Sequence, residues 1–187
     1  MQKYLRHLPL YPKKYLSHFF ILIALAVSLI GFLFPIFVHL FGLHRIVFSL
    51  DSLPFILGQL IFFQFLHGGW LHLFLNSYFL YQAGPEIEAR MKRREYLLFF
   101  FSTTLFVALA LWIFSPYALT VGISGFCMAL LSYLYMDLSR IHHPYANQIL
   151  IMLVANVALG FTGNISFVGH ASGAVAGFLW WYKKNKR

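Results

Sequence analysis

A serine stands between two glycines in the stretch Val-Gly-Ile-Ser-Gly-Phe at residues 121–126, directly before an apolar run. A serine hydroxyl is a poor nucleophile until a base accepts its proton, so the candidate chemistry is acyl transfer by Ser124 with a partner base. We expect Ser124 to begin a helix, where free backbone N–H groups and the helix dipole favour a developing oxyanion. Gly122 and Gly125 leave room for a substrate backbone beside the hydroxyl.

A second polar stretch, His-Gly-Gly-Trp-Leu-His-Leu-Phe-Leu-Asn, occupies residues 67–76. On a helix His72 and Asn76 are four residues apart and therefore share a face. An ionisable side chain inside a membrane span marks a functional site by default, although a lone histidine more often satisfies a backbone carbonyl. We therefore interpret His72 and Asn76 as polar helpers of a serine nucleophile.

The third stretch, residues 169–177, places His170, Gly173 and Gly177 on one helical face. Small residues four apart allow a neighbouring helix to approach closely, which a serine–imidazole hydrogen bond of ~3 Å between two helices requires. The structural alternative is plain helix packing. Other span serines, which we assign to helix packing, are Ser28, Ser102 and Ser132.

A metal site is the main chemical alternative, because His67, His72 and His170 might come together. His67 and His72 are five residues apart and so lie off one helical face, and the sequence contains no His-Glu-x-x-His motif. We therefore predict no metal and no cofactor.

The elements that position these residues must lie in a membrane. The 187 residues are 60% hydrophobic and only 10% charged, too few charges for the surface of a soluble domain, which averages about 25%. The net charge of +9 lies in separated clusters between apolar runs, which indicates placement against a lipid bilayer and no nucleic-acid partner. Cys127 is the single cysteine, so no internal disulfide is possible, and we expect it to be buried.

Apolar runs of spanning length predict a single all-α membrane domain over residues 1–187, with six transmembrane helices and an interfacial loop at 42–70 between the first two. The first run is too long for a cleaved signal peptide, so we interpret it as a retained span. The predicted spans are residues 19–38, 71–83 with their flanks, 96–114, 122–138, 148–161 and 167–182.

Charge placement predicts the topology. With six spans, 13 of the 14 Lys and Arg residues fall on one side, which the positive-inside rule makes cytoplasmic. Both termini, residues 1–18 and 183–187, are then cytoplasmic in a multi-pass protein of the cell (inner) membrane. Spans two, four and six run inward, so His72 and Asn76, Ser124, and His170 lie at similar depth below the outer face.

Acidic residues are scarce, and we expect none at that depth. A Ser-His-Asp triad is therefore disfavoured, and a Ser-His dyad is predicted. The five acidic residues are Asp51, Glu86, Glu88, Glu95 and Asp137.

At these residues the chain resembles the rhomboid family of intramembrane serine proteases, over roughly residues 59–177. Residues 59–76 resemble the family's signature leading into the second span, and Gly-Pro-Glu-Ile-Glu-Ala-Arg at 84–90 resembles the segment that follows it. Gly-Ile-Ser-Gly at 122–125 is similar to its Gly-x-Ser-Gly motif, and residues 170–177 to its sixth-span motif. Four such motifs in order are a specific signal.

The resemblance implies Ser124 as nucleophile and His170 as general base. It implies that His72 and Asn76, with backbone N–H groups near Ser124, stabilise the oxyanion. It also implies a cavity that opens outward and substrates that are transmembrane helices of other proteins, cleaved near that face.

The chain departs from the family at Met128, where an aromatic ring usually packs on the catalytic imidazole. A thioether also contacts aromatic rings favourably, by about 0.3–1.5 kcal/mol. Alternatives to the endopeptidase are a relative that trims C-terminal sorting tails of secreted proteins and a non-catalytic relative that binds transmembrane helices. A small transporter is a further alternative, although it would predict paired intramembrane charges.

Overall fold

The computed structural model describes residues 15–44, 52–162 and 165–186, and the regular elements in these ranges are helices. The predicted all-α class is confirmed. Most of the basic N-terminus, together with Arg45, Asp51 and Arg187, lies outside the described residues. The α-helices are α1 (Leu16–Leu33), α2 (Pro35–Phe41), α3 (Leu53–Phe62), α4 (Trp70–Glu88), α5 (Arg93–Phe114), α6 (Ser124–Arg140), α7 (Ala146–Ala158) and α8 (Phe167–Asn185), and a 3-10 helix (Leu159–Thr162) follows α7.

Each of the six predicted apolar runs overlaps one of the helices α1, α4, α5, α6, α7 and α8, and the first run also overlaps α2. Two of them, α1 and α5, are long and apolar enough by themselves to cross a membrane. Their outward faces carry large apolar side chains such as Leu33, Leu98 and Phe114, which are 65%, 53% and 72% exposed. Such a surface suits contact with lipid chains.

The first helix differs from the prediction, because residues 19–38 do not form one continuous helix. Phe34 leaves the helical region with φ −129° and ψ 85°, and Pro35 starts the short helix α2. Proline has no N–H and disfavours helical backbone in the residue before it, so the chain turns here despite the apolar composition.

Two further differences lie around the second predicted span. The 42–70 segment contains a helix, α3, instead of loop alone. Helix α4 also continues past residue 83 and through Pro85 to Glu88. Proline removes one helical hydrogen bond, yet its own carbonyl still accepts from Ala89 N at 2.9 Å.

The core is built from aromatic rings that α1, α5 and α6 bring together. Phe20 and Phe100 stack with centroids 4.0 Å apart, and Phe126 meets Phe100 edge-on at 4.9 Å. Offset-stacked and edge-on pairs are the favoured geometries of aromatic rings. These contacts hold α6, which begins at Ser124, against α1 and α5.

Polar contacts gather the C-termini of α4, α6 and α8 with the N-termini of α1 and α5, at what we term the basic end. Glu88 accepts from the backbone N–H groups of Leu16 and Ser17 at 2.8 and 3.1 Å. Arg90 joins Asp137 at 2.9 Å. Because these termini lie together, the starts of α4, α6 and α8 lie at the opposite end, which we term the site end.

Candidate active site

Ser124 is the first residue of α6 and is half-buried at the site end. Gly122 precedes it with φ 117°, a conformation that side-chain-bearing residues rarely adopt, and its N–H donates to Phe63 O at 2.9 Å. The N–H groups in the first turn of α6 have no intrahelical acceptor. Ser124 therefore lies beside free donors, as expected from the sequence.

His170 lies in the first turn of α8 and is only 6% exposed. The Ser166 hydroxyl caps this helix by accepting from Gly169 N at 3.1 Å. The ring atom Nδ1 of His170 lies 2.8 Å from the carbonyl oxygen of Asn156. A carbonyl only accepts, so Nδ1 carries the hydrogen and the neutral ring presents Nε2 as a proton acceptor.

The Asn156 carbonyl is a component of the site that sequence reasoning missed. It belongs to the last turn of α7, where helical carbonyls run out of intrahelical donors. Because the contact uses the backbone, no residue type at position 156 signals it. Only the placement of α7 against α8 reveals it.

Helices α6 and α8 are in backbone contact directly next to the two candidate catalytic residues. A Cβ atom built on Gly173 would lie 2.1 Å from Gly125 O, and one on Gly177 would lie 2.1 Å from Ala129 O. At the same interface, a Cβ on Gly125 would lie 3.4 Å from Gly169 O. Gly125, which follows Ser124, thus contacts Gly169, which precedes His170. The side chains of Ser124 and His170 therefore begin at the same contact between α6 and α8.

The two candidate catalytic side chains are not hydrogen-bonded to each other. Within the described ranges, Ser124 Oγ has no hydrogen-bond partner, whereas His170 bonds to Asn156. Catalytic hydrogen bonds are often long in proteins without substrate and tighten when substrate binds.

His72 and Asn76 converge on the turn that precedes Ser124. A Cβ on Gly122 would lie 2.9 Å from His72 Nε2 and 3.6 Å from Asn76 Nδ2. Asn76 is 8% exposed, and its Nδ2 makes no hydrogen bond within the described part of the chain. A buried donor without an acceptor is costly, and here it lies beside a nucleophile candidate.

His67 is more closely connected to this group than helical spacing suggested. It precedes α4, which begins at Trp70, so the argument that it lies off the face of His72 does not apply. Its ring packs edge-on against His72 with centroids 4.9 Å apart, and its Nδ1 lies 2.9 Å from Ser28 Oγ. That serine also donates to Phe65 O at 2.9 Å, so α1 fastens the segment before α4.

Among the described residues, no group of metal ligands and no carboxylate is added to the site end. In the ranges that the structure describes, no three His, Cys, Asp or Glu side chains are placed to hold a metal ion. Four of the five acidic residues are described, and each bonds to a group at the basic end: Glu86, Glu88, Glu95 and Asp137. Met128 and Cys127 are buried in the main hydrophobic cluster at 4% and 1% exposure.

Comparison with known proteins identifies a family and several relatives. The family model described as Rhomboid domain matches residues 54–187. Rhomboid protease GluP of Bacillus subtilis (strain 168) is 28% identical over 119 residues, which cover 61% of this chain and 23% of GluP. Putative rhomboid protease YdcA of the same organism is 28% identical over 120 residues, covering 61% of this chain and 60% of YdcA.

A eukaryotic relative is similar to the same extent. Rhomboid-like protease 3 of Toxoplasma gondii is 30% identical over 121 residues, covering 60% of this chain and 46% of that protein. The chain thus spans less than two thirds of the length of these three relatives. With the family model matching well over half of the chain and its apolar helices fitting a membrane protein, the chain belongs to the rhomboid family.

Proposed function

We propose that this protein is an intramembrane serine endopeptidase that cleaves transmembrane helices of other proteins with a Ser124–His170 dyad. The observation that carries the proposal is the state of His170. Its Nδ1 is bonded to the Asn156 carbonyl at 2.8 Å, so Nε2 is the free acceptor, on a helix in backbone contact with the helix of Ser124. A base of fixed tautomer next to a serine is what nucleophilic catalysis needs.

The first half of the reaction forms an acyl-enzyme. His170 Nε2 takes the proton from Ser124 Oγ as the oxygen attacks the scissile carbonyl, and the C–N bond breaks when the imidazolium returns that proton to the leaving amine. The tetrahedral oxyanion receives hydrogen bonds from Asn76 Nδ2, His72 and the N–H groups at the start of α6. In the second half water attacks the ester, again with His170 as base, and releases Ser124.

The Asn156 carbonyl takes the orienting role that a carboxylate has in a triad. It holds the ring in the productive tautomer. It stabilises the imidazolium less than a negative charge would, since it contributes a dipole only.

The membrane placement follows the charge distribution. We infer that α1, α4, α5, α6, α7 and α8 span the bilayer, with both termini cytoplasmic and α2 and α3 in the outer interface. The site end then lies below the outer face, where a substrate helix that unwinds can present a peptide bond to Ser124. Proteolysis here uses neither a metal nor a cofactor.

The test is cleavage of a membrane-embedded substrate. The purified protein is placed in liposomes with a single-span protein tagged at both ends, and the two fragments are quantified. Ser124→Ala and His170→Ala should each abolish fragment formation, whereas Ser132→Ala, a buried serine on the same helix, should retain it. Cleavage by the Ser124→Ala variant at the wild-type rate would overturn the proposal.

A further inference from the structure

A surface cavity of about 430 Å³ opens at the basic end, between the start of α5 and the last turns of α8. It lies away from the site end and is not used by the proposed reaction. Its lining consists of Lys92, Arg94, Glu95, Leu98, Trp180, Lys183 and Lys184.

The lining has a surplus of positive charge. Four of its side chains are cationic and one is a carboxylate, Glu95. That carboxylate is already engaged, because its Oε1 pairs with Lys184 Nζ at 2.8 Å and its Oε2 accepts from Lys92 N at 3.3 Å. Among the described residues, the side chains of Lys92, Arg94 and Lys183 form no ion pair, so three cations face the cavity uncompensated.

The other walls of the cavity are apolar and lie beside a helix of membrane-spanning length. Helix α5 is long and apolar enough to cross a bilayer, and the cavity lies beside its first turns. Leu98, one turn inward from Arg94, is 53% exposed. The Trp180 indole is fixed by a 2.8 Å bond from Nε1 to Ser102 Oγ, and tryptophan is enriched where lipid headgroups meet hydrocarbon.

We propose that this cavity binds the phosphodiester headgroup of an anionic glycerophospholipid. Lys92, Arg94 and Lys183 neutralise the phosphate, and the acyl chains follow the exposed side chain of Leu98 and the half-buried ring of Trp180. Basic pockets between membrane helices recognise anionic headgroups in this way. A soluble phosphate would use the cations but gain nothing from the apolar wall, so we assign the site to a lipid. The proposal is independent of the chemistry at Ser124.

The test compares two variants that lose the same charge, one residue from α5 and one from the C-terminal end of α8 in each case. Arg94→Gln/Lys183→Gln removes two cations that line the cavity, whereas Arg93→Gln/Lys186→Gln removes two neighbours that do not. The full-length proteins in detergent are titrated with phosphatidylglycerol and phosphatidylcholine, and bound lipid is counted by native mass spectrometry. Unfolding temperatures in lipid-free detergent check that the variants are folded.

We expect the wild type to bind phosphatidylglycerol more tightly than phosphatidylcholine. The Arg94→Gln/Lys183→Gln variant should lose about 20- to 30-fold in phosphatidylglycerol affinity, since each basic residue near a lipid surface contributes about a factor of five. The matched variant should stay within about threefold of wild type. If the double variant does not fold, Arg94→Gln alone should lose about fivefold.

Three results would overturn the proposal. An equal loss in both variants would mean diffuse attraction to the basic end. Displacement of phosphatidylglycerol by inorganic phosphate at equal concentration would mean a site for soluble anions. No preference for phosphatidylglycerol in the wild type would mean no headgroup site.

Discussion

At the level of single residues, the candidate site combines a ring nitrogen with a fixed partner and an amide with an unused donor. His170 Nδ1 bonds to the Asn156 carbonyl, and Asn76 Nδ2 is buried without an acceptor among the described residues. Serine, histidine and the glycines next to them were recognisable from residue type and spacing. The Asn156 carbonyl could not be predicted, because residue identity does not report the contacts of a backbone group. Helical spacing does not place His67, because this residue precedes helix α4.

Substitution of Asn76 tests whether its side chain stabilises the oxyanion. Asn76→Ala should lower the cleavage rate by about 10²–10³-fold, because it removes one side-chain donor while backbone donors remain. The KM for the substrate should change much less, since the lost bond forms mainly in the transition state. Gln82→Ala, which removes an exposed amide from the same helix, serves as the control. A rate near wild type for Asn76→Ala would remove Asn76 from the oxyanion site.

Substitution of Gly173 tests whether activity requires the backbone contact between α6 and α8. A Cβ at this position would lie 2.1 Å from Gly125 O, so Gly173→Ala must push the helices apart and separate Ser124 from His170. We expect a loss of at least tenfold in cleavage and a destabilisation of about 1–3 kcal/mol, measured by unfolding in detergent. Gly69→Ala, where an added Cβ meets nothing within 4 Å, should be mild. Full activity of Gly173→Ala would show that close helix contact is not needed.

At the level of elements, the apolar runs predict that the helices exist, but they do not predict where each helix begins and ends. Pro35 and Pro85 both lie in or beside such runs, and only the first ends a helix. Beyond Pro85, Glu88 accepts hydrogen bonds from the start of α1, a partner 71 to 72 residues away in sequence. Local composition carries no information on that partner.

Glu88 is therefore expected to be a structural anchor. It accepts from Leu16 N, Ser17 N and Ser17 Oγ, so Glu88→Gln loses a charged acceptor at a helix N-terminus. We expect a destabilisation of about 1–3 kcal/mol in thermal unfolding, with little change in cleavage by the folded fraction. Glu86→Gln, whose carboxylate is 54% exposed in its pair with Arg90, should cost less than 1 kcal/mol. Equal unfolding temperatures for the two variants would argue against the anchor.

Among the described residues of the whole molecule, charged groups and candidate catalytic groups lie at opposite ends of the bundle. Ion pairs and uncompensated cations lie at the basic end, and the serine and the histidines of the candidate site lie at the site end. From the positive-inside rule we propose that the basic end faces the cytoplasm, because basic residues are enriched on the cytoplasmic side of membrane proteins. Cleavage is therefore expected near the outer face.

The orientation is testable with single cysteines in a Cys127→Ala background. Tyr117, 92% exposed between α5 and α6, should as Tyr117→Cys react with a membrane-impermeant maleimide in intact cells. Ala89→Cys, exposed between α4 and α5, should react only after permeabilisation. The reverse pattern would invert the topology and place the site at the cytoplasmic face.

We propose that Ser124 is a nucleophile activated by His170, and covalent labelling tests this role on the serine itself. The protein in membranes is treated with a fluorophosphonate, and the modified residue is identified by peptide mass spectrometry. We expect modification at Ser124, near-complete loss of labelling in His170→Ala, and unchanged labelling in Ser132→Ala. Labelling at another serine, or labelling of Ser124 at the wild-type rate in His170→Ala, would mean that Ser124 is not a nucleophile activated by His170.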